Sequence, residues 1–454
     1  MMGNKTDFDD MEKRRHEYLE KVLSLSSREF NPELWERLKN LVYEPRKLGV
    51  DVVIDDATLR EGLQMAGMTS PKPVDEFQIA RLLRDMGVER IELIMYSKTD
   101  QDAIKLMQKD GMGNMLAAWC RAATDDIDLA LKLGIKQVGI SHPVSFIHFV
   151  KWPETHLQEL VKRVTDTVEY AKKHGLKIFV HGEDSTRADW DFEKAFINSI
   201  ADAGADVYRI CDTIGNGSSD PAAPLPYGIP EKIKRIKKET NIPHVEIHAH
   251  DDLGNAVENT MAAVRAASGL YDKIYVSTTF LGIGERSGNA ETEKIILNCY
   301  MQYGIKKWNL QSMRELALFI KSSTNFHLPT NKAIVGDSSF SHESGIHLHG
   351  IEMLPLTYEI FPPELVGQTR TIVIGKRSGK HGVKLKLEEI LKQRVDENDP
   401  RFGQLLDIIK DKFKGPRRQP VKDEEFKRYA RNVGFEIEEK SENSSEEKSG
   451  EAHE

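Results

Sequence analysis

His248-Ala249-His250 is the most informative short pattern in this chain of 454 residues. On a β-strand, positions i and i+2 project to the same side, so the two imidazoles would converge. Two imidazoles and a carboxylate from another strand make a metal site with open positions. Glu61, expected at the end of an earlier strand, is the candidate third ligand. Such a set suits Zn²⁺, Mn²⁺, Fe²⁺ or Co²⁺. Two other readings stay open: a histidine bonded to Asp251 or Asp252 without metal, and an iron oxygenase site, a chemistry more familiar on all-β scaffolds. Arg60 adjoins Glu61, where a guanidinium beside a cation can polarise a carbonyl and stabilise a developing alkoxide or enolate. The alternative for Arg60 is a structural ion pair with Asp55 or Asp56. Thr213, after Asp212, can hold a substrate carboxylate or cap a turn. HESGIHLHG brings His342, His347 and His349 together. Its glycines suggest a bent loop carrying a general acid/base, against a zinc cluster or plain surface histidines.

These residues need a frame, and from Val52 onward the pattern supplies one. Short apolar runs alternate with segments of helical period, as in VVIDDATL before VDEFQIARLLRDMG and KIFVHGED before DFEKAFINSIADAG. Eight such units fit in roughly 250 residues, the number that closes a parallel (β/α)8 barrel. Gly87, Gly134, Gly175 and Gly204 fall where helices should end. An open doubly wound sheet is the rival, but no GxGxxG follows the first strand. In a barrel, chemistry sits at the C-terminal ends of strands, where Arg60, Glu61, His142, Glu183, Asp212, His248 and His250 all fall. We expect an N-terminal helical extension over 1–49, with a helix start at Asn31-Pro32, and the TIM barrel over 50–322. A C-terminal α/β accessory subdomain over 323–395, a charged helical segment over 396–435 and a disordered acidic tail over 436–454 follow.

The net charge of −8 is concentrated in that tail, where eight Glu stand against Lys440 and Lys448. The nearly neutral remainder offers no electrostatic footprint for nucleic acid. The sequence has no membrane-spanning apolar run, and its start is not expected to act as a secretory signal. Cys120, Cys211 and Cys299 are too scattered for a disulfide framework, so a cytoplasmic setting is expected.

Several motifs together resemble one family. DATLREG (Asp56 to Gly62) is similar to the DxTLRDG signature of the DRE-TIM metallolyase superfamily. EIHAHDDLGNAVEN resembles its HxHND-LG segment, with Asp251 where Asn is usual, and GIGERSGNAETE resembles GERAGNA. HESGIH, LTYEIFPPELVG and GKRSGKHG resemble the accessory subdomain of the Claisen-condensing branch, which holds 2-isopropylmalate, homocitrate, citramalate and Re-type citrate synthases. A lyase of the same superfamily would show Cys in its glycine loop, which here reads GIGERSG. The resemblance implies that Glu61, His248 and His250 bind a divalent metal (Mn, Zn, Co or Mg) chelating a 2-oxo acid. Arg60 then polarises the ketone, Thr213 holds the carboxylate, and the enolate of acetyl-CoA attacks. Glu183 and Gln64 are further catalytic and substrate-binding candidates. His342 and Tyr358 are expected to act in trans in a homodimer with a shared active site, with His347 less favoured.

The acceptor is read from departures. Phe179 stands where homocitrate synthases carry Arg and isopropylmalate synthases commonly Glu, and His181 stands where Ser is usual. Tyr96 lies on the second strand's loop. Lys98, Arg121, Arg209 or His181 could pair with a second carboxylate, which a branched apolar acceptor lacks. Only about 60 residues follow Leu391, in a stretch rich in charge, so the regulatory domain of leucine-responsive isopropylmalate synthases is not expected here. Oxaloacetate, giving citrate, is therefore the expected acceptor, with homocitrate, 2-isopropylmalate or citramalate as alternative products and a 3-hydroxyacyl-CoA lyase as the remoter one. A non-catalytic metabolite-binding protein on a retired barrel is the least favoured.

Overall fold

A computed structural model describes residues 5–27 and 29–437, so all but the first two residues of the expected acidic tail lie outside the described residues. Eight parallel strands close a barrel in sequence order: β1 Asp51–Asp56, β2 Arg90–Leu93, β3 Leu116–Arg121, β4 Gln137–Pro143, β5 Lys177–Glu183, β6 Val207–Asp212, β7 His244–Ala249 and β8 Lys273–Thr278. Two helices precede it, α1 Lys5–Leu25 and α2 Pro32–Tyr43. The connecting helices are α3 Pro73–Met86, α4 Lys98–Lys109, α5 Thr124–Lys132, α6 Leu157–Lys173, α7 Trp190–Asp202, α8 Ile229–Glu239, α9 Ala256–Ala267 and α10 Thr292–Tyr303. α11 Met313–Thr324 ends the barrel's helical ring. The alternation of apolar run and helical period therefore means a (β/α)8 barrel, as read from the sequence. α2 starts as its cap residue dictates, with Asn31 Oδ1 accepting from the Glu33 and Leu34 amides. Trp35 Nε1 donates to the Tyr300 hydroxyl at 2.9 Å, fastening α2 to α10.

The barrel interior is layered, because alternate strand residues point inward. Val53, Phe179, Val207 and Tyr275 form an apolar floor. Above it lies a layer of charges in place of the usual branched aliphatics. Arg209 is wholly buried and donates to Glu246 at 2.6 Å, to Asp55 at 2.6 Å and to Glu92 at 2.5 Å. Arg90 pairs with Asp55 and lies 3.8 Å over the Phe179 ring. Burial alone would raise Glu92, but the charges of Arg209 and Arg60 hold it well below the usual carboxylate range. Burial raises Glu246, with Asp55 adding to it and Arg209 opposing.

This layer corrects two expectations. Arg209 is not free for a second carboxylate: Asp55, Glu92 and Glu246 claim its donors inside the barrel. Phe179 belongs to the floor and the cation stack, one inward step below His181 on the same strand.

The described residues divide into two compact units, one within 1–336 with 365–367 and one within 337–364 with 368–454. The second unit holds two short paired strands, β9 Ser341–His342 and β10 Thr371–Ile372, and the helices α12 Gly345–Met353, α13 Lys380–Leu391, α14 Pro400–Lys412 and α15 Asp423–Asn432. Val383, Leu387, Phe402, Leu405, Ile409 and Phe426 supply its core, which includes the charged helical stretch. The three cysteines are buried and unpaired. No helix among the described residues is long and apolar enough to cross a membrane.

Replacing Arg209 with Leu leaves Asp55, Glu92 and Glu246 without their shared cation. We expect unfolding in urea to show a loss of about 3–5 kcal/mol, the cost of breaking a buried pair on one side. A loss below about 1 kcal/mol, as for an exposed pair, would show that the layer does not hold the barrel.

Candidate active site

The DATLREG segment is a tight turn whose residue types follow from its bonds. β1 stops at Asp56, and the Ala57 carbonyl accepts from the amides of Arg60, Glu61 and Gly62 at 3.0, 2.8 and 3.1 Å. Arg60 and Glu61 thus reach the barrel axis from a turn after the strand, not from the strand end expected. Asp56 accepts from the Thr58 amide at 2.9 Å and the Thr292 hydroxyl at 2.6 Å, while Thr58 Oγ1 accepts from the Phe280 amide at 2.7 Å. Gly62 lies so close to Ile283 that a Cβ would sit 2.9 Å from its side chain. Arg60 Nε donates to Glu92 at 2.5 Å and Nη1 to Glu61, in place of the alternative pairing with Asp55 or Asp56. Its Nη2 has no protein partner among the described residues.

The ligand atoms of Glu61, His248 and His250 lie within 4.8 Å of one another, and all three residues are buried. β7 ends one residue short of His250, yet the alternation carries through and the two rings stand 5.0 Å apart. His250 Nε2 is 3.7 Å from Glu61 Oε1, too long for a hydrogen bond. Its Nδ1 is buried with no hydrogen-bond partner. Burial holds His250 down to about 4, and burial with the adjoining His250 holds His248 well below its usual value, so both are neutral donors near pH 7. Ser277 fixes His248 through Nδ1 at 3.0 Å. Asn289, which the sequence reading missed, has a buried Oδ1 with no partner and its amide nitrogen 3.3 Å from His248 Nε2. Amide orientation follows the network around it, so the Asn289 carbonyl is a candidate fourth donor. Gly284 leaves it room, since a Cβ there would sit 2.2 Å from Asn289 Oδ1.

Glu61, His248 and His250 face a cavity of about 230 Å³ at the C-terminal ends of the strands. Of the other residues singled out by sequence, Arg60, Gln64, His181, Glu183 and Thr213 line it. Thr213 Oγ1 accepts from the Asp184 amide at 2.8 Å, which leaves its proton for a ligand. Glu183 is 3.0 Å from His148 Nδ1 and 3.5 Å from Lys151 Nζ. The His181 ring occupies the space that a Cβ on Gly139 would take, 2.4 Å away. Burial and the nearby Arg209 keep it neutral, and its Nε2 has no hydrogen-bond partner.

Two expected substrate cations do not line the cavity. Lys98 is the first residue of α4, solvent-exposed and paired with Asp102 one turn on at 2.8 Å. Arg121 is drawn to Asp126 in the first turn of α5, by bonds of 2.7 and 3.0 Å. Tyr96 donates to the same Asp126 at 2.6 Å. His142 turns away to stack on Trp152, and Asp212 braces its own turn through the Gly217 amide at 3.0 Å. In their place the cavity shows Trp119, Ser141, Cys211, Glu285 and Arg286. Inward alternation from Gly139 could have found Ser141; the neutral types of Trp119 and Cys211 gave no chemical signal. Arg286, at positive φ in the glycine loop, ties that loop to Asp252 at 2.9 Å and to the Thr213 carbonyl.

In the second unit His342 lies on β9, and its Nε2 is 3.1 Å from Glu359 Oε1, a carboxylate also held by Arg370 at 2.7 and 2.6 Å. Tyr358 stacks on His347 at 4.1 Å. The expected bent loop at Gly345 to Gly350 is instead the helix α12.

A family described as HMGL-like matches residues 51–320, and one described as homocitrate synthase post-HMGL domain-like matches residues 334–411. The chain is 34% identical to a 2-isopropylmalate synthase of Methanocaldococcus jannaschii, over 84% of this chain and 71% of that protein. It is 34% identical to a homocitrate synthase of Methanopyrus kandleri, over 84% and 92%. An (R)-citramalate synthase of Methanocaldococcus jannaschii is also 34% identical, over 79% and 70%. In structure, hydroxymethylglutaryl-CoA lyase from Pseudomonas aeruginosa superposes with a TM-score of 0.52 at 16% identity, over 61% of this chain and 93% of that one, a likeness of fold. With the barrel and its glycine loop on one side and the following subdomain on the other both matched, this chain belongs to the HMGL-like family, in the branch of the isopropylmalate, homocitrate and citramalate synthases.

Proposed function

We propose that this protein is an acyltransferase that joins acetyl-CoA to a 2-oxo acid by a metal-dependent Claisen condensation. The observation that carries the reading is the buried set of Glu61, His248 and His250 beside Arg60 at the mouth of the barrel. Glu61, the two imidazoles and the Asn289 carbonyl would hold a divalent cation; its orphaned buried donors fit one. When bound, the cation supplies Lewis acidity at the acceptor's keto and carboxylate oxygens. Arg60, anchored by Glu92 and Glu61, presents Nη2 to the ketone oxygen and takes up charge as the alkoxide forms. The Thr213 hydroxyl donates to the acceptor carboxylate, since its oxygen is already spent on the Asp184 amide. A base takes a proton from the acetyl methyl, the carbanion forms the new C–C bond to the ketone, and water releases CoA from the thioester. Glu183 in the barrel, and His342 with Tyr358 from the second unit of a partner subunit, are the groups we assign to these proton transfers.

In this reading the acceptor's far end would face Ser141, Trp119 and His181, which line the cavity. These are neutral donors, which suit a second carboxylate and would be left unpaired by a branched alkyl group. We therefore read the acceptor as a 2-oxo dicarboxylate. Oxaloacetate loses the support of Lys98, Arg121 and Arg209, which lie outside the cavity. Between the two dicarboxylates, the homocitrate synthases among the relatives favour 2-oxoglutarate, although 2-isopropylmalate and citramalate synthases match at equal identity.

Three outcomes are expected. Exchange into a chelator, and Glu61→Gln, should each remove the bound metal and the release of CoA while circular dichroism stays unchanged; retained metal in Glu61→Gln would discard the ligand set. In steady-state CoA release, 2-oxoglutarate or oxaloacetate should exceed 2-oxoisovalerate in kcat/KM by at least about tenfold, and His181→Leu should narrow that ratio. Preference for 2-oxoisovalerate would end the dicarboxylate reading. Mixing inactive Arg60→Ala and His342→Ala proteins should restore part of the activity after subunit exchange; none, with exchange demonstrated, would remove His342 from its role in trans.

A further inference from the structure

The second unit carries a set of metal-ligand side chains that the condensation does not use. His349 and Glu352 are three residues apart on α12 and share one face of that helix. His381 stands in the first turn of α13, which packs against α12. Ligand atoms of the three residues lie within 4.8 Å of one another, and the two imidazole rings are 4.8 Å apart, tilted by 42°. His381 Nδ1 is 3.6 Å from Glu352 Oε2, beyond hydrogen-bond reach. That nitrogen is also buried without a hydrogen-bond partner.

The carboxylate of Glu352 divides its work. Oε1 accepts from Lys384 Nζ at 3.1 Å and has Arg394 at 3.8 Å, while Oε2 faces the imidazole. Lys384 therefore orients the carboxylate from behind, much as an outer partner orients a metal ligand. His349 is exposed, so an ion can enter from solvent.

We propose that His349, Glu352 and His381 form a second divalent-cation site, of the zinc class, that clips α12 to α13. Two imidazoles and one carboxylate oxygen, completed by water, match the donors and coordination number of Zn²⁺. Mg²⁺ and Ca²⁺, which ask for oxygen shells, are poorly served by this set. Tetrahedral bonds of about 2.0–2.1 Å need ligand atoms about 3.4 Å apart, a contraction that side-chain torsions supply without moving either helix. The charges of Lys384 and Arg394 weaken the site, placing its affinity in the micromolar range rather than that of a closed structural zinc site. Because α12 begins three residues after His342, the clip would stiffen the helix that follows that residue.

The test uses the full chain with Glu61→Gln and His250→Ala, so that only the second unit can hold an ion, and it does not depend on the condensation being correct. Titration calorimetry with zinc chloride should show about one equivalent bound at micromolar concentration. Cobalt(II) should give visible d–d bands of a four-coordinate site. Adding His349→Ala and His381→Ala should weaken binding by at least about tenfold and abolish the bands. No zinc bound at micromolar concentration, or binding that the added substitutions leave unchanged, would overturn the proposal. If circular dichroism shows that the added pair perturbs folding, the single exposed substitution His349→Gln is read with the same two outcomes.

Discussion

Arg60 carries its positive charge into the barrel because Glu92 meets it from below and Glu61 from beside. Glu92 is held in turn by Arg209, which also binds Asp55 and Glu246, and Asp55 is shared with Arg90. The candidate active site therefore rests on an ionic layer several residues deep. A single guanidinium among buried carboxylates is costly unless its partners are fixed, and here Glu92, Asp55 and Glu246 belong to strands while Glu61 is held in the hydrogen-bonded turn after β1. That arrangement keeps Arg60 charged, aimed and unable to relax toward solvent when the cavity fills.

Around this base the loops are built to approach closely. Gly284 brings the glycine loop against Asn289, and Arg286 bolts the same loop to Asp252 and to the Thr213 carbonyl. Three different strand ends are thereby locked together: those carrying Thr213, the two imidazoles and the loop itself. Pre-organisation of this kind is what lets fixed donors stabilise developing charge without rearranging.

The barrel was legible in the sequence because its signal is repeated: eight apolar runs, each followed by a helical period, admit few other closures. The pairing of His248 with His250 was legible because strand alternation is local. Lys98, Arg121 and Arg209 were misplaced for the opposite reason. Where a long cation ends up depends on which carboxylate claims it: Asp102 and Asp126 are near in sequence to Lys98 and Arg121 and compete locally, whereas Asp55, Glu92 and Glu246 lie at distances from Arg209 along the chain that no pattern reports. Phe179 shares the inward parity of His181, but strand parity alone cannot give depth, and it lies one inward step lower. Trp119, Ser141 and Cys211 were missed because neutral side chains acquire a role only from where the barrel puts them.

The central claim is a cation between Glu61, His248 and His250. Anomalous diffraction from crystals of the protein grown with Mn²⁺ or Zn²⁺, collected at the metal's absorption edge, tests it most directly. The account predicts a peak bonded to both imidazoles and to the Glu61 carboxylate at about 2.0–2.2 Å. Active protein whose crystals show these three side chains apart, with no anomalous density between them, would contradict it.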